Sequence, residues 1–260
     1  MPFRIPLSGL NSALTGLRTT ANNIANVATS GFRQSRTELA EQVANGVGRG
    51  VRVGAIARQD TQGTFRFTNN ALDFAIGGNG YFMLSNGGSR LYTRNGEFGV
   101  DSNGYIVNAR GARLQGYSMD SSGQVNTGVL TDLQMSKGST GGIGVDPGGV
   151  VFARYSDGRS EPLGKVAIAV FTNPGGLQNA GTNEWTESSA SGAATLGEAG
   201  TASFGRIQSG ALENSNVDLT DQLLDMIKFS RQIEAQAKVI QTERENAESI
   251  ANLFSKRPAK

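Results

Sequence analysis

Between Leu7 and Phe32 the apolar positions Leu10, Leu14, Leu17, Ala21, Ile24 and Ala28 follow one another in steps of four and three. That beat predicts an amphipathic helix with one narrow seam of the coiled-coil kind. Ser8 is its candidate N-cap, Pro2 and Pro6 keep the residues before it extended, and Gly31 suits the left-handed position after a helix. The beat returns at the other end of the chain, at Leu219, Leu223, Met226, Ser230, Ile233, Ala237, Ile240, Arg244, Ala247, Ala251 and Phe254. Asp218, Thr220 and Asp221 supply an N-cap and first-turn acids that oppose the helix dipole. As one helix, Asp218 to Phe254 would be about 55 Å long at about 1.5 Å per residue. An isolated amphipathic helix is marginal in water, so each seam needs a partner: the other terminal helix, a neighbouring copy or a shared globular core.

Between these ends the period changes to two. Val47, Arg49, Val51 and Val53 alternate with Gly48, Gly50, Arg52 and Gly54 as a glycine-interrupted strand. Short strands are expected at 64–68, 72–76, 81–84, 91–93, 114–117, 149–155, 165–172 and 184–188, and a hairpin over Glu97 to Val107 with Asn103-Gly104 at its tip. Arg33 to Ala44 mixes polar and apolar positions and fits a short helix or an extended arm. Ser118 to Asp146, ending in Lys137 to Gly142, reads as a flexible connection. The resulting fold class is α+β: paired terminal heptad helices flanking a mainly antiparallel all-β domain.

Composition narrows the chemistry. The chain has 260 residues, 36 of them glycine, a net charge of +2, and neither cysteine nor histidine. Zinc sites built on Cys or His, thiol nucleophiles and histidine-based triads are therefore excluded. The charge is too small to argue for nucleic acid or an anionic membrane, and Lys256, Arg257 and Lys260 read as a solvated tail. No run approaches the ~18 apolar residues of a membrane span. The N-terminus has no apolar h-region or cleavage site, so no cleavable secretory signal is expected.

The remaining chemical motifs weigh little. Gly46-Val47-Gly48-Arg49-Gly50 opens no helix and lacks the Lys-Ser/Thr of a phosphate loop. Asp101-Ser102-Asn103-Gly104 begins like a calcium loop without its closing glutamate, and a hairpin turn explains it more simply. Asp60, Asp73, Glu97 and Asp101 offer no pair singled out for glycoside hydrolysis. Tyr81-Phe82 flank a turn and read as core rather than a stacking platform. No cofactor, metal or catalytic residue is predicted.

At Ala21 to Phe32 the run Asn22-Asn23-Ile24-Ala25-Asn26, continued by Thr29-Ser30-Gly31-Phe32, resembles the signature of the bacterial flagellar rod and hook proteins. Asp73-Phe74-Ala75-Ile76 with Gly80-Tyr81-Phe82, Tyr92-Thr93-Arg94-Asn95-Gly96 with Phe98, and Ser209 to Asp218 are similar to further segments of that family in the same order. The resemblance implies a tubular axial structure in which terminal helices pack between subunits around an export channel. It also implies type III export. Within the family the Leu114-Gln115-Gly116-Tyr117 and Phe204-Gly205-Arg206 segments look most like the hook protein, in a short form without its outer inserted domain. A proximal or distal rod subunit is the alternative, and a cell-wall-cutting or carbohydrate-active enzyme the rival of another class.

These expectations give residues 1–30 and 217–260 as a helical assembly domain, 31–72 and 201–216 as linker arms, and 73–200 as the β domain. Subunit-interface candidates are Leu10, Leu14, Leu17, Ala21, Ile24, Leu219, Leu223, Met226, Ile233, Ala237, Ile240 and Phe254. Asn22, Asn23, Asn26, Gly31, Phe32, Ser215, Asn216 and Val217 carry the family motifs. The expected partners are further copies of the chain, other rod and hook–filament junction proteins, the hook cap and the export apparatus, with no nucleic acid and no membrane insertion. β domains of adjacent copies would slide past one another as a hook bends.

Overall fold

The computed structural model describes residues 3–44, 46–120, 123–135, 142–201 and 203–255. Most of the Lys137 to Gly142 linker and the basic tail at 256–260 lie outside them, as does the side chain of Phe254. The chain forms two compact units: one of residues 1–27, 34–59 and 217–260, the other of 28–33 and 60–216. The class is α+β, with two helices flanking a mainly antiparallel β domain.

In the first unit, helix α1 spans Arg4–Ala25 and helix α2 spans Leu219–Ser255. Helix α1 starts ahead of the expected Ser8 cap, because Pro6 sits in the first turn, where its missing N–H serves no carbonyl. The Ser8 hydroxyl instead donates to Ile5 O at 2.7 Å and accepts from Val51 N at 3.1 Å. The helix also ends well before Gly31, with Asn26 N donating to Asn22 O and Asn23 O. At α2 the N-cap is Asp218, whose Oδ1 accepts from Thr220 N at 2.8 Å and Asp221 N at 3.2 Å.

Ser35–Ala44 is strand β1 and pairs antiparallel with β2, Val47–Arg58. The open choice between helix and arm at 33–44 is thus decided by strand pairing. Ladder hydrogen bonds to β2 satisfy a backbone whose mixed side chains offer no helical stripe. Among the described residues no helix is long and apolar enough to cross a membrane.

The second unit carries β3 (Phe65–Phe67), β4 (Phe74–Gly77), β5 (Tyr81–Asn86), β6 (Ser89–Thr93), β7 (Gly99–Val100), β8 (Ile106–Val107), β9 (Arg113–Met119) and β10 (Val125–Asp132). It continues with β11 (Ile143–Val145), β12 (Val150–Arg154), β13 (Ser160–Val170), β14 (Gln178–Gly181), β15 (Glu184–Thr186), β16 (Thr195–Glu198), β17 (Arg206–Ser209) and β18 (Ala211–Glu213). The main sheet runs in the order β11-β12-β13-β9-β5-β6-β15-β14, with β10 paired to β9 and β16 to β13. Ser118 to Asp146 is therefore not wholly a connection: it supplies β10 and β11 and buries Leu133 in the core.

Strand β5 is apolar on both faces because both faces are covered. Phe82 and Leu84 join Phe74, Phe98, Leu114 and Ile168 in one cluster, while Tyr81 and Met83 join Tyr92, Tyr117 and Phe171 in another. Tyr81 and Phe82 are thus core. Phe82 and Phe98 meet edge to face at 5.4 Å, and Tyr92 meets Phe171 at 4.9 Å. The turn at Asp101 is closed by its own carboxylate, which accepts from Asn103 N and Tyr105 N at 2.8 Å.

Candidate assembly surface and buried ion cluster

Helices α1 and α2 lie antiparallel, with Asn23 opposite Gln222, Gly16 opposite Phe229 and Gly9 opposite Gln236. The face of α1 turned inward consists of small or polar residues: Gly9, Ser12, Ala13, Gly16, Thr20 and Asn23 are buried. A Cβ at Gly16 would stand 2.4 Å from the Phe229 ring, so the missing side chain lets the ring seat against the helix backbone. This inward stripe sits one residue ahead of the apolar one, and it is the stripe that periodicity in hydrophobicity overlooked.

The apolar seam itself is left partly open. Leu10, Leu14, Leu17 and Ile24 are half-buried, and Ala21 is exposed. On α2, Met226, Ile233 and Ile240 are half-buried and share the spacing of Gln222, Phe229 and Gln236, whereas Leu219, Leu223 and Ala237 are exposed. The described chain therefore does not close Leu10, Leu14 and Leu17 against Leu219 and Leu223. Close backbone approach through glycine and alanine selects the other face of α1.

The motif asparagines divide their work. Asn23 is buried, its amide donating to Ser35 O at 2.8 Å and Gln222 Oε1 at 2.9 Å, while its Oδ1 accepts from Ser35 N at 3.0 Å. One side chain thereby ties α1, α2 and β1. Asn26 Nδ2 donates to Asn22 O at 2.9 Å and helps cap the helix end, and Asn22 is exposed.

In the second unit two motif segments and the residue directly after a third meet in a buried ion cluster that single-residue reading missed. Glu213, 1% exposed at its side chain, pairs with Arg33 at 2.7 Å and Arg94 at 3.2 Å. Its Oε1 also accepts from Gly63 N at 3.0 Å. Arg33 donates to Asp60 O, and Arg94 donates to Ile76 O and Gly78 O. Burial pushes the Arg94 guanidinium below its ordinary pKa, and Arg33 adds to that, while Glu213 opposes it. The signal lies in the sequence: Arg94 and Glu213 fall inside the family-motif segments, and Arg33 follows Phe32 directly.

The backbone around the cluster is equally tight. Gly31, at φ +66°, donates to Glu213 O at 2.7 Å, and a Cβ there would lie 2.5 Å from the Arg94 carbonyl carbon. Asn216 N donates to Phe32 O and its side chain to Thr61 O at 2.9 Å. Ser215 is half-buried, and Val217 is buried. The cluster thus fastens together 30–33, 60–63 and 213–216, the segments by which the chain enters and leaves this unit.

The acidic residues considered for catalysis have local partners. Asp60 accepts from Tyr81 Oη, Asp73 from Asn70 Nδ2 and Glu97 from Ser30 Oγ. Among the described residues no group of three or more Asp or Glu is placed to hold a metal ion.

Sequence comparison adds the relatives. Residues 3–33 match the profile described as flagella basal body rod protein. Residues 75–153 match the flagellar hook protein FlgE/F/G D1 domain, and 208–253 the flagellar basal body rod FlgEFG protein C-terminal region. The chain is 32% identical to the flagellar basal-body rod protein FlgG of Bacillus subtilis, covering 95% of this chain and 96% of that one. It is also 32% identical to FlgG of Caulobacter vibrioides, over 97% and 99% of the two chains. With the flagellar hook protein FlgE of Escherichia coli it shares 28% identity over 97% of this chain and all of that one. That alignment runs to 401 positions against 260 residues here, so the hook relative carries stretches with no counterpart in this chain.

Proposed function

This chain belongs to the family of bacterial flagellar hook and rod proteins, and from that premise we propose how it works as a structural axial subunit of the flagellum. It polymerises helically through α1 and α2, whose open apolar faces bury against neighbouring copies around a central channel. Leu10, Leu14, Leu17, Ala21 and Ile24 on α1, with Leu219, Leu223 and Ala237 on α2, form the contacts between subunits. Met226, Ile233 and Ile240 serve the helix pair within one chain.

The observation that carries this reading is where apolar surface remains. Among the described residues, fourteen of the eighteen exposed large hydrophobics lie in the helical unit, Leu219, Leu223, Leu224 and Ile227 among them at 43–61% exposure. A monomer has no use for so much open apolar surface, whereas an assembling unit does. Export through the flagellar type III apparatus, and contact with the hook cap and the adjoining rod or junction proteins, complete the proposal.

The hook is the leading place for the polymer, as the segments around Leu114 to Tyr117 and Phe204 to Asp218 indicate. A rod position is the second reading, supported by the near end-to-end alignment with the FlgG proteins at matching length. Electron microscopy of concentrated wild-type and Leu14→Asp protein tests the assembly: tubes from the wild type alone are expected, and normal tubes from the variant contradict it. Immunogold labelling of isolated flagella decides between hook and rod by the position of the label.

A further inference from the structure

The end of the helical unit where α1 begins carries two surfaces of opposite charge, both lined largely by exposed side chains. The first is a hollow of about 760 Å³ between the start of α1 and the hairpin tip, lined by Arg4, Ile5, Glu41, Val43, Arg49 and Arg52 among others. Its arginines outnumber its one glutamate, and Ile5, Val43 and the adjoining Val47 are 55–64% exposed. The second is the last part of α2. By the register of Asn23 with Gln222 and Gly9 with Gln236, the first turn of α1 stands level with Ile240 and Gln241. Helix α2 then runs on past α1 to Ser255, carrying the half-buried Glu243 and the exposed Glu245 and Glu248 against Arg244, and the exposed Ile250 and Leu253.

We infer that the hollow of one copy receives the overhanging end of α2 from a second copy, acids against Arg49 and Arg52 and Ile250 against Val43 and Val47. The charge complementarity selects this occupant. A basic hollow with an apolar wall matches an acidic segment that turns apolar one helical turn later, and both belong to the same chain. Within α2 the Arg244–Glu248 pair is 75% and 60% exposed, so it holds Glu248 only weakly. Because hollow and overhang are different surfaces, the contact is heterologous, and a rotation that does not close extends it into a helical array. The inference rests on the axial reading and names the segments that meet.

The chain has no cysteine, so a pair of introduced thiols reports this contact cleanly. In a Val47→Cys, Ile250→Cys double variant, oxidation of the polymer should give a ladder of disulfide-linked dimers, trimers and larger species, absent from the dilute monomer. Polymers without a ladder overturn the docking and leave the axial reading standing, and so does a disulfide formed within one chain in the monomer. Wild-type protein that stays monomeric at every concentration overturns both. In parallel, Arg49→Glu with Arg52→Glu should raise the critical concentration for polymerisation by about tenfold or more, and adding Glu245→Lys with Glu248→Lys should restore it. An unchanged critical concentration in the first pair contradicts the inference.

Discussion

Removing the carboxylate of Glu213 tests whether the ion cluster holds the β unit together. In Glu213→Ala the guanidiniums of Arg33 and Arg94, at 3% and 7% exposure, lose the only carboxylate paired with them among the described residues. Gly63 N also loses its acceptor. Breaking a buried pair by removing one partner costs about 3–5 kcal/mol, since the charge left behind stays uncompensated. For a unit of this size each kcal/mol lowers Tm by roughly 2–4 °C, which predicts a fall of about 6–20 °C. The single tryptophan, Trp185 in β15, reports unfolding of this unit by fluorescence, and helical ellipticity follows α1 and α2. The triple variant Arg33→Met, Arg94→Met, Glu213→Met removes all three charges together and should recover most of the loss, because well-packed apolar replacements of buried ions are often neutral. A fall below about 2 °C in Glu213→Ala would mean that the buried pairs do not hold the unit together.

Gly16→Val places a side chain where Phe229 already sits and should cost about 1–3 kcal/mol of helix-pair stability, read as loss of ellipticity at lower urea while Trp185 is unmoved. Asn23→Leu fills the same space but abandons Ser35 N and O and Gln222. It should destabilise the helical unit by about 1–3 kcal/mol, checked by faster amide exchange across β1. The Tyr92 phenol is held above its ordinary pKa by burial and by its hydrogen bond to Glu187. A group raised on folding contributes its stability in full below the unfolded value of about 10 and loses it as pH rises further. The β unit should therefore weaken in alkali, and Tyr92→Phe should flatten that part of the stability profile measured by urea titration.

Hydrophobic pattern made the architecture legible. The terminal helices follow from the four-three beat, and β5, β6 and β9 from short apolar runs set between glycine turns. What the pattern concealed was which helix face turns inward. Gly9, Ala13 and Gly16 carry almost no hydrophobic signal, yet they permit the close approach that joins α1 to α2. Strand β16 was hidden likewise, in a Gly/Ala/Ser-rich stretch that its ladder with β13, the packing of Leu196 and the Lys165–Glu198 pair hold in place. The ion cluster was concealed by distance: Glu213 is 180 residues from Arg33, and charges so far apart announce no pairing until the fold joins them.

If other copies cover the open faces of α1 and α2 in the assembled state, hydrogen–deuterium exchange on monomer and polymer will register it. Peptides from 4–25 and 219–255 should exchange markedly more slowly in the polymer, while those from β5 and β9 should exchange alike in both. Equal protection of the two helices in monomer and polymer would contradict it.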